Sequence, residues 1–271
     1  MLPNITIIGA GTMGEALIKG LLRQSLIDPG HLIATGPRET RRAKLSERYG
    51  VRTTLDNVAA AQDATVVFLS VKPQVLPRVL EELHGHVPAD ALIFSIAAGV
   101  KIATIRRGLD NAYVARAMPN TPAQIGQGIT VWTAADTVTG TQREHALLIL
   151  QALGEAVYVE DEHYLDMATA LSGTGPAYVY LFMEALIDAG VHLGFSRRIS
   201  EQLVYQTVIG AANFARQSEL HPAALRNQVT SPGGTTAEAL YHLDKGSFRT
   251  VLSRAIWAAY VRSAQLGRAE D

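Results

Sequence analysis

Short apolar segments alternate with helix-like segments from the start of the chain to about residue 160. Helices are predicted from Gly14 to about Gln24 and over Glu39–Tyr49, and Pro73 suits the first turn of a further helix. This alternation predicts a mostly parallel sheet with helices on both faces. The segments that predict strands are Ile5–Ile8, Leu32–Thr35, Ala64–Ser70, Leu92–Ile96, Tyr113–Met118, Ile129–Thr133 and Ala156–Val159.

The pattern changes near Glu160, after which the apolar positions follow helical spacing to the end of the chain. Segments rich in glycine, serine and proline separate the helices. We therefore predict an α/β N-terminal domain over residues 1–162, followed by an all-α C-terminal domain over residues 163–271. The predicted helices of the second domain are Tyr164–Leu171, Pro176–Leu193, Ser200–Gln217, Thr235–Leu243 and Phe248–Leu266.

Composition narrows the function classes. Apolar residues make up 48% of the 271 residues and charged residues 18%, as in a well-packed globular protein. The net charge of −1 gives no reason to expect nucleic acid or an anionic membrane as a partner. The absence of cysteine excludes disulfides and thiolate chemistry, and is compatible with the cytoplasm. The eight histidines show no metal-ligand spacing, so no metal is expected. No apolar run reaches the roughly 18 residues of a membrane span, and no basic leader precedes the first strand.

A glycine motif joins the first strand to the first helix. Gly9, Ala10, Gly11, Thr12, Met13 and Gly14 form the pattern G-x-G-x-x-G. In this position Gly9 permits a tight turn, Gly11 lets a pyrophosphate approach the backbone, and Gly14 allows the helix to pack on the strand. An ordinary glycine-rich turn is the alternative, but the strand–turn–helix setting favours a Rossmann-like dinucleotide-binding domain.

The residues after the second strand indicate which dinucleotide is used. An NAD enzyme normally has an acidic residue here for the ribose hydroxyl, and none occurs between Thr35 and Glu39. Arg38, Arg41 and Arg42 instead offer guanidinium groups to a 2′-phosphate. We therefore expect NADPH as the cofactor, and we expect NADH to serve as a weaker alternative. Arg38 is the preferred phosphate ligand, since at least one of the other two arginines is expected on a solvated helix face.

Five further segments, taken together, resemble one family. In their order and spacing the set closely resembles pyrroline-5-carboxylate reductase over essentially the whole chain. The part of Val229–Thr236 that reads Ser-Pro-Gly-Gly-Thr-Thr is the most specific. The segments are Val71–Pro73, Ile96–Val100, Arg116–Pro122, Leu171–Tyr178 and Val229–Thr236.

The resemblance implies reduction of Δ1-pyrroline-5-carboxylate to L-proline, the last step of proline biosynthesis, by hydride transfer to the imine carbon. It also implies that the all-α domain binds substrate and forms a homodimer with interleaved helices, sometimes assembled further into rings. Apolar residues on two predicted helices agree with a helix–helix interface to another chain, although an intrachain core accounts for about half of them. They are Tyr178, Leu181, Phe182, Leu186, Val204, Val208 and Phe214.

The resemblance assigns residues to the cofactor beyond the glycine motif and Thr35. Asn57 falls at the adenosine portion, although an N-cap of the following helix explains it equally well. Lys72 is interpreted as a loop residue near the cofactor and not as a proton donor. The residues implied to lie along the nicotinamide crevice are Val71, Lys72, Pro73, Ala97, Ala98, Gly99, Met118, Pro119 and Asn120.

The resemblance places the substrate at the start of a predicted helix. Ser231, Gly234 and Thr235 are implied to hold the carboxylate, and the Thr236 hydroxyl is implied to reach the ring nitrogen. Glycines leave backbone N–H groups open and a helix start favours an anion, although a loop with an N-cap and no ligand is the alternative. Glu219 either lies near the cationic imine and favours its protonated form, or is a solvated residue at a helix end.

Three other functions remain open. A β-hydroxyacid dehydrogenase has a similar two-domain plan, but it needs a lysine that the stretch Ser172–Gly194 lacks. A reductase of another cyclic imine acid, such as a six-membered ring, has the same requirements. A non-catalytic NADP(H)-binding sensor would bind the nucleotide without turnover.

Overall fold

The computed structural model describes residues 2–268. Its strands form one eight-stranded sheet with the order β3-β2-β1-β4-β5-β6-β7-β8. The strands are β1 Ile5–Ile8, β2 Leu32–Thr35, β3 Arg52–Thr54, β4 Val66–Leu69, β5 Leu92–Ser95, β6 Val114–Met118, β7 Gly128–Ala134 and β8 Gly154–Tyr158.

Helices connect the strands and then fill the rest of the chain. A π-helical turn, Thr169–Gly173, lies between α7 and α8. The predicted fold class is thereby confirmed, a Rossmann-like α/β part followed by helices. The helices are α1 Thr12–Arg23, α2 Glu39–Tyr49, α3 Asn57–Ala61, α4 Leu76–Leu83, α5 Ile102–Leu109, α6 Gly140–Gln151, α7 Tyr164–Ala168, α8 Gly175–His192, α9 Arg197–Gln217, α10 Pro222–Gln228, α11 Thr235–Lys245 and α12 Phe248–Arg268.

The sheet topology creates a crevice beside the glycine motif. Strands β1 to β6 are parallel, whereas β7 runs antiparallel to β6 and β8 runs parallel to β7. The strand order reverses between β1 and β4, with β2 and β3 on one side of β1 and β4 on the other. Ligands of such sheets bind beyond the carboxyl ends of the strands at this reversal. Here the reversal lies directly before Gly9.

The alternating strand residues bury two apolar clusters, one on each face of the sheet. On β1, Ile7 belongs to one cluster and Ile8 to the other. In the first cluster the rings of Phe68 and Phe94 stack with centroids 5.2 Å apart. Helix α1 covers this cluster, while α4 and α5 cover the second. Burial on both faces explains why these strands are apolar almost throughout.

Several elements were not predicted individually. Strand β3 is polar and half-exposed, and it exists because Arg52 to Thr54 pair with β2 at the sheet edge. Helices α5, α6 and α10 were not predicted from the sequence either. The 3₁₀ turn Pro73–Val75 precedes α4. Among residues 2–268, no helix combines the length and apolar character that a bilayer span requires.

The chain divides into two compact units. Among the described residues, the first comprises residues 2–174 together with 259–268, and the second is Gly175–Ala258. The first unit thus contains the sheet, α7 and the end of α12. The domain boundary expected between residues 162 and 163 stays a prediction.

Candidate active site

The glycine motif forms a tight turn that leaves no room for side chains at two positions. Gly9 has a φ of +98°, and a Cβ there would lie 2.8 Å from Val71 Cγ1. A Cβ on Gly14 would lie 2.8 Å from the Gly9 carbonyl oxygen. A Cβ on Gly11, the N-cap of α1, would meet nothing within 4 Å. Gly9 and Gly14 are therefore required by packing, whereas Gly11 faces open space.

The start of α1 offers unpaired donors to this space. No side chain among the described residues caps the helix. The first N–H groups of a helix have no partner within it, and together with the helix dipole they favour an anion. The Thr35 carbonyl oxygen accepts hydrogen bonds from the N–H groups of Gly9 and Ala10, at 3.2 and 2.7 Å. The end of β2 thus holds the turn in place.

Two arginines of α2 bind the glycine-rich loops. Arg41 donates from Nε to the Ala10 carbonyl oxygen at 3.1 Å and from Nη2 to the Gly11 carbonyl oxygen at 3.2 Å. Arg42 donates to the Gly36 carbonyl oxygen at 2.6 Å. The expectation that at least one of them lies on a solvated face is wrong, because both side chains fix loop carbonyl groups.

Glu15 is the counter-ion of this cluster. Its carboxylate lies 2.6 Å from Arg41 Nη2, and it accepts a 3.0 Å hydrogen bond from the Tyr49 hydroxyl. Partial burial acts to raise the pKa of Glu15, but the bonds from Tyr49 and Arg41 and the charge of Arg48 outweigh it and lower that pKa. Partial burial and the bond to Glu15 raise the pKa of Tyr49.

A cavity of about 220 Å³ lies over the glycine turn. Arg38 is exposed at its edge, and the Ser70 hydroxyl is buried there without a hydrogen-bond partner among the described residues. Helix-start N–H groups, a guanidinium and an unpaired hydroxyl suit the phosphates of a dinucleotide. The residues that line the cavity are Gly9, Ala10, Gly11, Gly36, Pro37, Arg38, Arg41, Ser70, Val71, Lys72 and Val75.

The loops after β4, β5 and β6 lie at the same edge of the sheet, because these strands are parallel neighbours. They carry Val71–Pro73, Ala97–Gly99 and Met118–Asn120, respectively. Gly99 has a φ of +79°, and a Cβ there would lie 3.1 Å from the Gly267 nitrogen. The structure therefore brings the predicted crevice residues to one edge, and their contact with a nicotinamide stays a prediction.

Asn57 is placed at the first residue of α3. Its side-chain amide donates to Glu82 at 3.0 Å. The N-cap is Asp56, whose carboxylate accepts the Ala59 N–H at 2.9 Å. The interpretation of Asn57 as the N-cap is therefore wrong, and its role at the adenosine stays a prediction.

The predicted substrate segment lies in the second unit. Gly234 is the N-cap of α11, and no side chain among the described residues caps this helix. Its N–H donates to the Ser231 carbonyl oxygen at 3.0 Å, and a Cβ on it would lie 2.4 Å from Ser231 Oγ. Thr235 and Thr236 form the first turn of α11, whereas Glu219 is exposed in the link between α9 and α10. The segment thus presents a bare helix start of the predicted kind.

The helices of the second unit expose many large apolar side chains. Leu181 on α8 is 67% exposed and Phe214 on α9 is 62% exposed. Val204 is buried within the unit, while Phe182 and Leu186 are also exposed. Large apolar side chains exposed in such number are typical of a surface that takes part in protein–protein contact.

Sequence reasoning missed three residues around the crevice. Glu15 and Ser70 adjoin the glycine turn, and the position of Ser70 directly before Val71 at the end of β4 was the available signal. Glu162, which binds residues far away in sequence, offered no linear signal. Within the described part of the chain, no group of three or more histidine, aspartate or glutamate side chains is arranged to hold a metal ion.

Two family models match the chain. Residues 162–266 match pyrroline-5-carboxylate reductase dimerisation, and residues 4–99 match NADP oxidoreductase coenzyme F420-dependent. A relative from Synechocystis sp., named pyrroline-5-carboxylate reductase, is 43% identical over 265 residues, which cover 98% of both chains.

Solved structures are similar over nearly their whole length. A pyrroline-5-carboxylate reductase from Coxiella burnetii is 39% identical with a TM-score of 0.89, covering 97% of this chain and 98% of the other. Plasmodium falciparum pyrroline carboxylate reductase with NADP bound is 32% identical with a TM-score of 0.89, covering 98% of both chains.

Proposed function

The chain belongs to the pyrroline-5-carboxylate reductase family, and we propose on this basis that it reduces Δ1-pyrroline-5-carboxylate to L-proline, the last step of proline biosynthesis. The observation that carries the proposal is 43% identity over 98% of the chain to a relative of that name. The cavity over the glycine turn in the first unit, which suits a dinucleotide, supports the proposal independently.

NADPH is the cofactor, and the first unit supplies its binding groups. The N–H groups at the start of α1 bind the pyrophosphate, with Arg41 holding the carbonyl groups of Ala10 and Gly11 so that the turn keeps its shape. Arg38 binds the 2′-phosphate, since its guanidinium is exposed at the cavity edge and is not engaged with the loop carbonyls as Arg41 and Arg42 are. When bound, NADPH supplies the hydride for the imine carbon.

The loops after β4, β5 and β6 orient the reacting ring and exclude water from one side of it. Val71 and the Ala97–Gly99 turn provide apolar and backbone surface for this purpose. Lys72 stands at the N-cap of a 3₁₀ turn, and we assign it to the loop and not to proton transfer.

The start of α11 holds the substrate carboxylate through Ser231, Gly234 and Thr235. The bare first turn of that helix supplies unpaired N–H groups, and glycine leaves them open to the ligand. The Thr236 hydroxyl aligns the ring nitrogen, which takes its proton from solvent before binding. Glu219, when close to the cationic imine, favours the protonated form.

The protein self-associates through its helical part, which matches a dimerisation family over residues 162–266. We propose a homodimer as the basic assembly, with rings as a further state. The exposed apolar faces of α8 and α9 support this proposal. A cytoplasmic location is likewise proposed, and fractionation of cells that express the protein would test it.

The decisive experiment follows NADPH oxidation by absorbance with Δ1-pyrroline-5-carboxylate and with the six-membered imine acid. We expect the protein to oxidise NADPH when Δ1-pyrroline-5-carboxylate is present. The kcat/KM for this five-membered ring should be higher than that for the six-membered ring. A preference for the larger ring would assign the protein to another cyclic imine. NADPH binding with no turnover of either imine would instead support a sensor.

A further inference from the structure

We propose that Glu162 is a positioning residue for the nicotinamide end of the cofactor site, an inference that rests on the proposed function for the identity of that site. Glu162 lies in the link between β8 and α7, outside every predicted site segment. Its carboxylate joins two structural elements that carry the crevice loops.

The first of these elements is α5. Its N-cap, Lys101, makes no side-chain capping bond, and the N–H of Ile102 instead donates to Glu162 Oε1 at 2.7 Å. A carboxylate at this position satisfies an unpaired donor and is favoured by the helix dipole. Glu162 therefore caps α5 from 60 residues away in sequence.

The second element is β6. Arg116 lies on this strand with only 6% of its surface exposed, and its Nη1 pairs with the same Oε1 atom of Glu162. Its register neighbours are Ser95 on β5 and Thr133 on β7. A guanidinium buried within a sheet requires a counter-charge, because an unpaired buried charge is strongly destabilising.

Both contacts lie next to predicted crevice residues. Ile102 follows the Ala97–Gly99 turn, and Arg116 precedes the Met118–Asn120 turn by two residues. One carboxylate oxygen thus joins the start of the helix that follows one crevice loop to the strand that leads into another. Displacement of reacting groups by about 1 Å can lower rates by up to about 100-fold, so this link is well placed to control turnover.

The test compares Glu162→Ala and Glu162→Gln with the control Glu160→Gln. Glutamine keeps an oxygen for the Ile102 N–H but removes the charge opposite Arg116, whereas alanine removes both. Glu160 is exposed two residues earlier, so its substitution matches the change in charge without the contacts. The melting temperatures of the wild type and of all three variants are measured first. Every assay is then run well below the lowest of these temperatures. If the alanine variant fails to fold, the glutamine variant carries the test.

Two ligands separate positioning from general damage. NADP⁺ spans the whole cofactor site, whereas adenosine 2′,5′-bisphosphate occupies only the end near Arg38. For Glu162→Ala we expect Kd for NADP⁺ to rise about tenfold, with Kd for the fragment changed less than about twofold. We expect kcat to fall about tenfold or more and Glu162→Gln to lie between alanine and wild type.

Equal loss of affinity for NADP⁺ and for the fragment would overturn the proposal, because it would indicate damage to the whole unit. Unchanged Kd and kcat in folded Glu162 variants would overturn it as well. If the wild-type protein binds NADP⁺ without reducing the imine, the proposed function fails, while the ratio of the two Kd values still decides the role of Glu162.

Discussion

At the scale of single residues, three arginines near the start of α2 have different tasks. Arg41 and Arg42 bind carbonyl groups of the glycine-rich loops, and Arg38 remains exposed at the cavity edge. The sequence predicted a basic cluster in the right place. It preferred Arg38 for the phosphate but did not predict that Arg41 and Arg42 bind loop carbonyl groups, because the Arg41 contact joins residues 30 positions apart in sequence.

Arg38 is the residue whose loss changes cofactor selectivity. Arg38→Ala removes the guanidinium proposed for the 2′-phosphate, and we expect the NADPH-over-NADH ratio of kcat/KM to fall about tenfold or more. The matched control is Lys44→Ala, which removes an exposed cation from α2, the helix that Arg38 directly precedes. A ratio that stays the same in Arg38→Ala would mean that another group binds the phosphate.

Glu15 makes stability depend on pH in the acid range. Its folded-state pKa is lowered, so its charged contacts stabilise the protein above the ordinary value of 4.5 and are lost as pH falls through the folded value. We expect Glu15→Gln to lower the free energy of unfolding at neutral pH. The deficit relative to wild type should shrink below pH 4.5. Urea unfolding of both proteins from neutral to acid pH measures this difference in the free energy of unfolding. A difference that does not change with pH would contradict the role given to the Glu15 charge.

At the scale of elements, apolar strands were easier to predict than polar ones. The bounds of β1, β2 and α2 match the prediction, since each has a clear pattern of its own. Strand β3 carries no such pattern, because its pairing with β2 and not the burial of its side chains makes it a strand. The capping of α5 by Glu162 was equally invisible, as it needs the tertiary fold.

The first turn of α11 should separate turnover from nucleotide binding. Thr236→Ala removes the hydroxyl proposed to align the ring nitrogen, so we expect kcat to fall about tenfold or more while Kd for NADPH stays the same. Thr141→Ala is the control, because Thr141 is the second residue of α6, as Thr236 is of α11, and its side chain is exposed. Unchanged kinetics in Thr236→Ala would remove this residue from the mechanism.

Helix α1 packs too closely on the chain after α6 to accept a methyl group. A Cβ on Gly20 would lie 2.4 Å from the Ala152 carbonyl oxygen. Alanine gains about 1 kcal/mol of helix propensity, but overpacking against backbone costs about 1–3 kcal/mol. We expect Gly20→Ala to lower the free energy of unfolding in urea, whereas Gly140→Ala, whose methyl group meets nothing within 4 Å, should leave it nearly unchanged. A stabilised Gly20→Ala protein would show that the packing relaxes at little cost.

At the scale of the whole molecule, burial explains what the sequence left open. The predicted apolar positions on α8 and α9 include Val204, which is buried within its own unit, and Leu181, which is not. Periodicity identifies an apolar helix face without saying which chain covers it. The exposed set agrees with the proposal that self-association covers these helices.

Charge placed on the exposed helix face should disrupt the assembly. Leu181→Asp puts a carboxylate where the side chain is 67% exposed in the single chain, and we expect a smaller assembly by light scattering. Leu148→Asp on α6, where the side chain is 40% exposed, is the control in the first unit. Equal masses for Leu181→Asp and wild type would exclude this face from the interface.

The contact between Gly99 and Gly267 has a practical consequence for handling the protein. A Cβ on Gly267 would lie 2.7 Å from the Gly99 carbonyl oxygen, so the last described turn of α12 supports the loop after β5 directly. The amino end of β1 lies at the opposite edge of the sheet from that loop, since the neighbouring strands run parallel. An affinity tag or immobilisation linker attached before β1 therefore lies at the sheet edge opposite this loop, whereas one attached after α12 follows the helix that supports it.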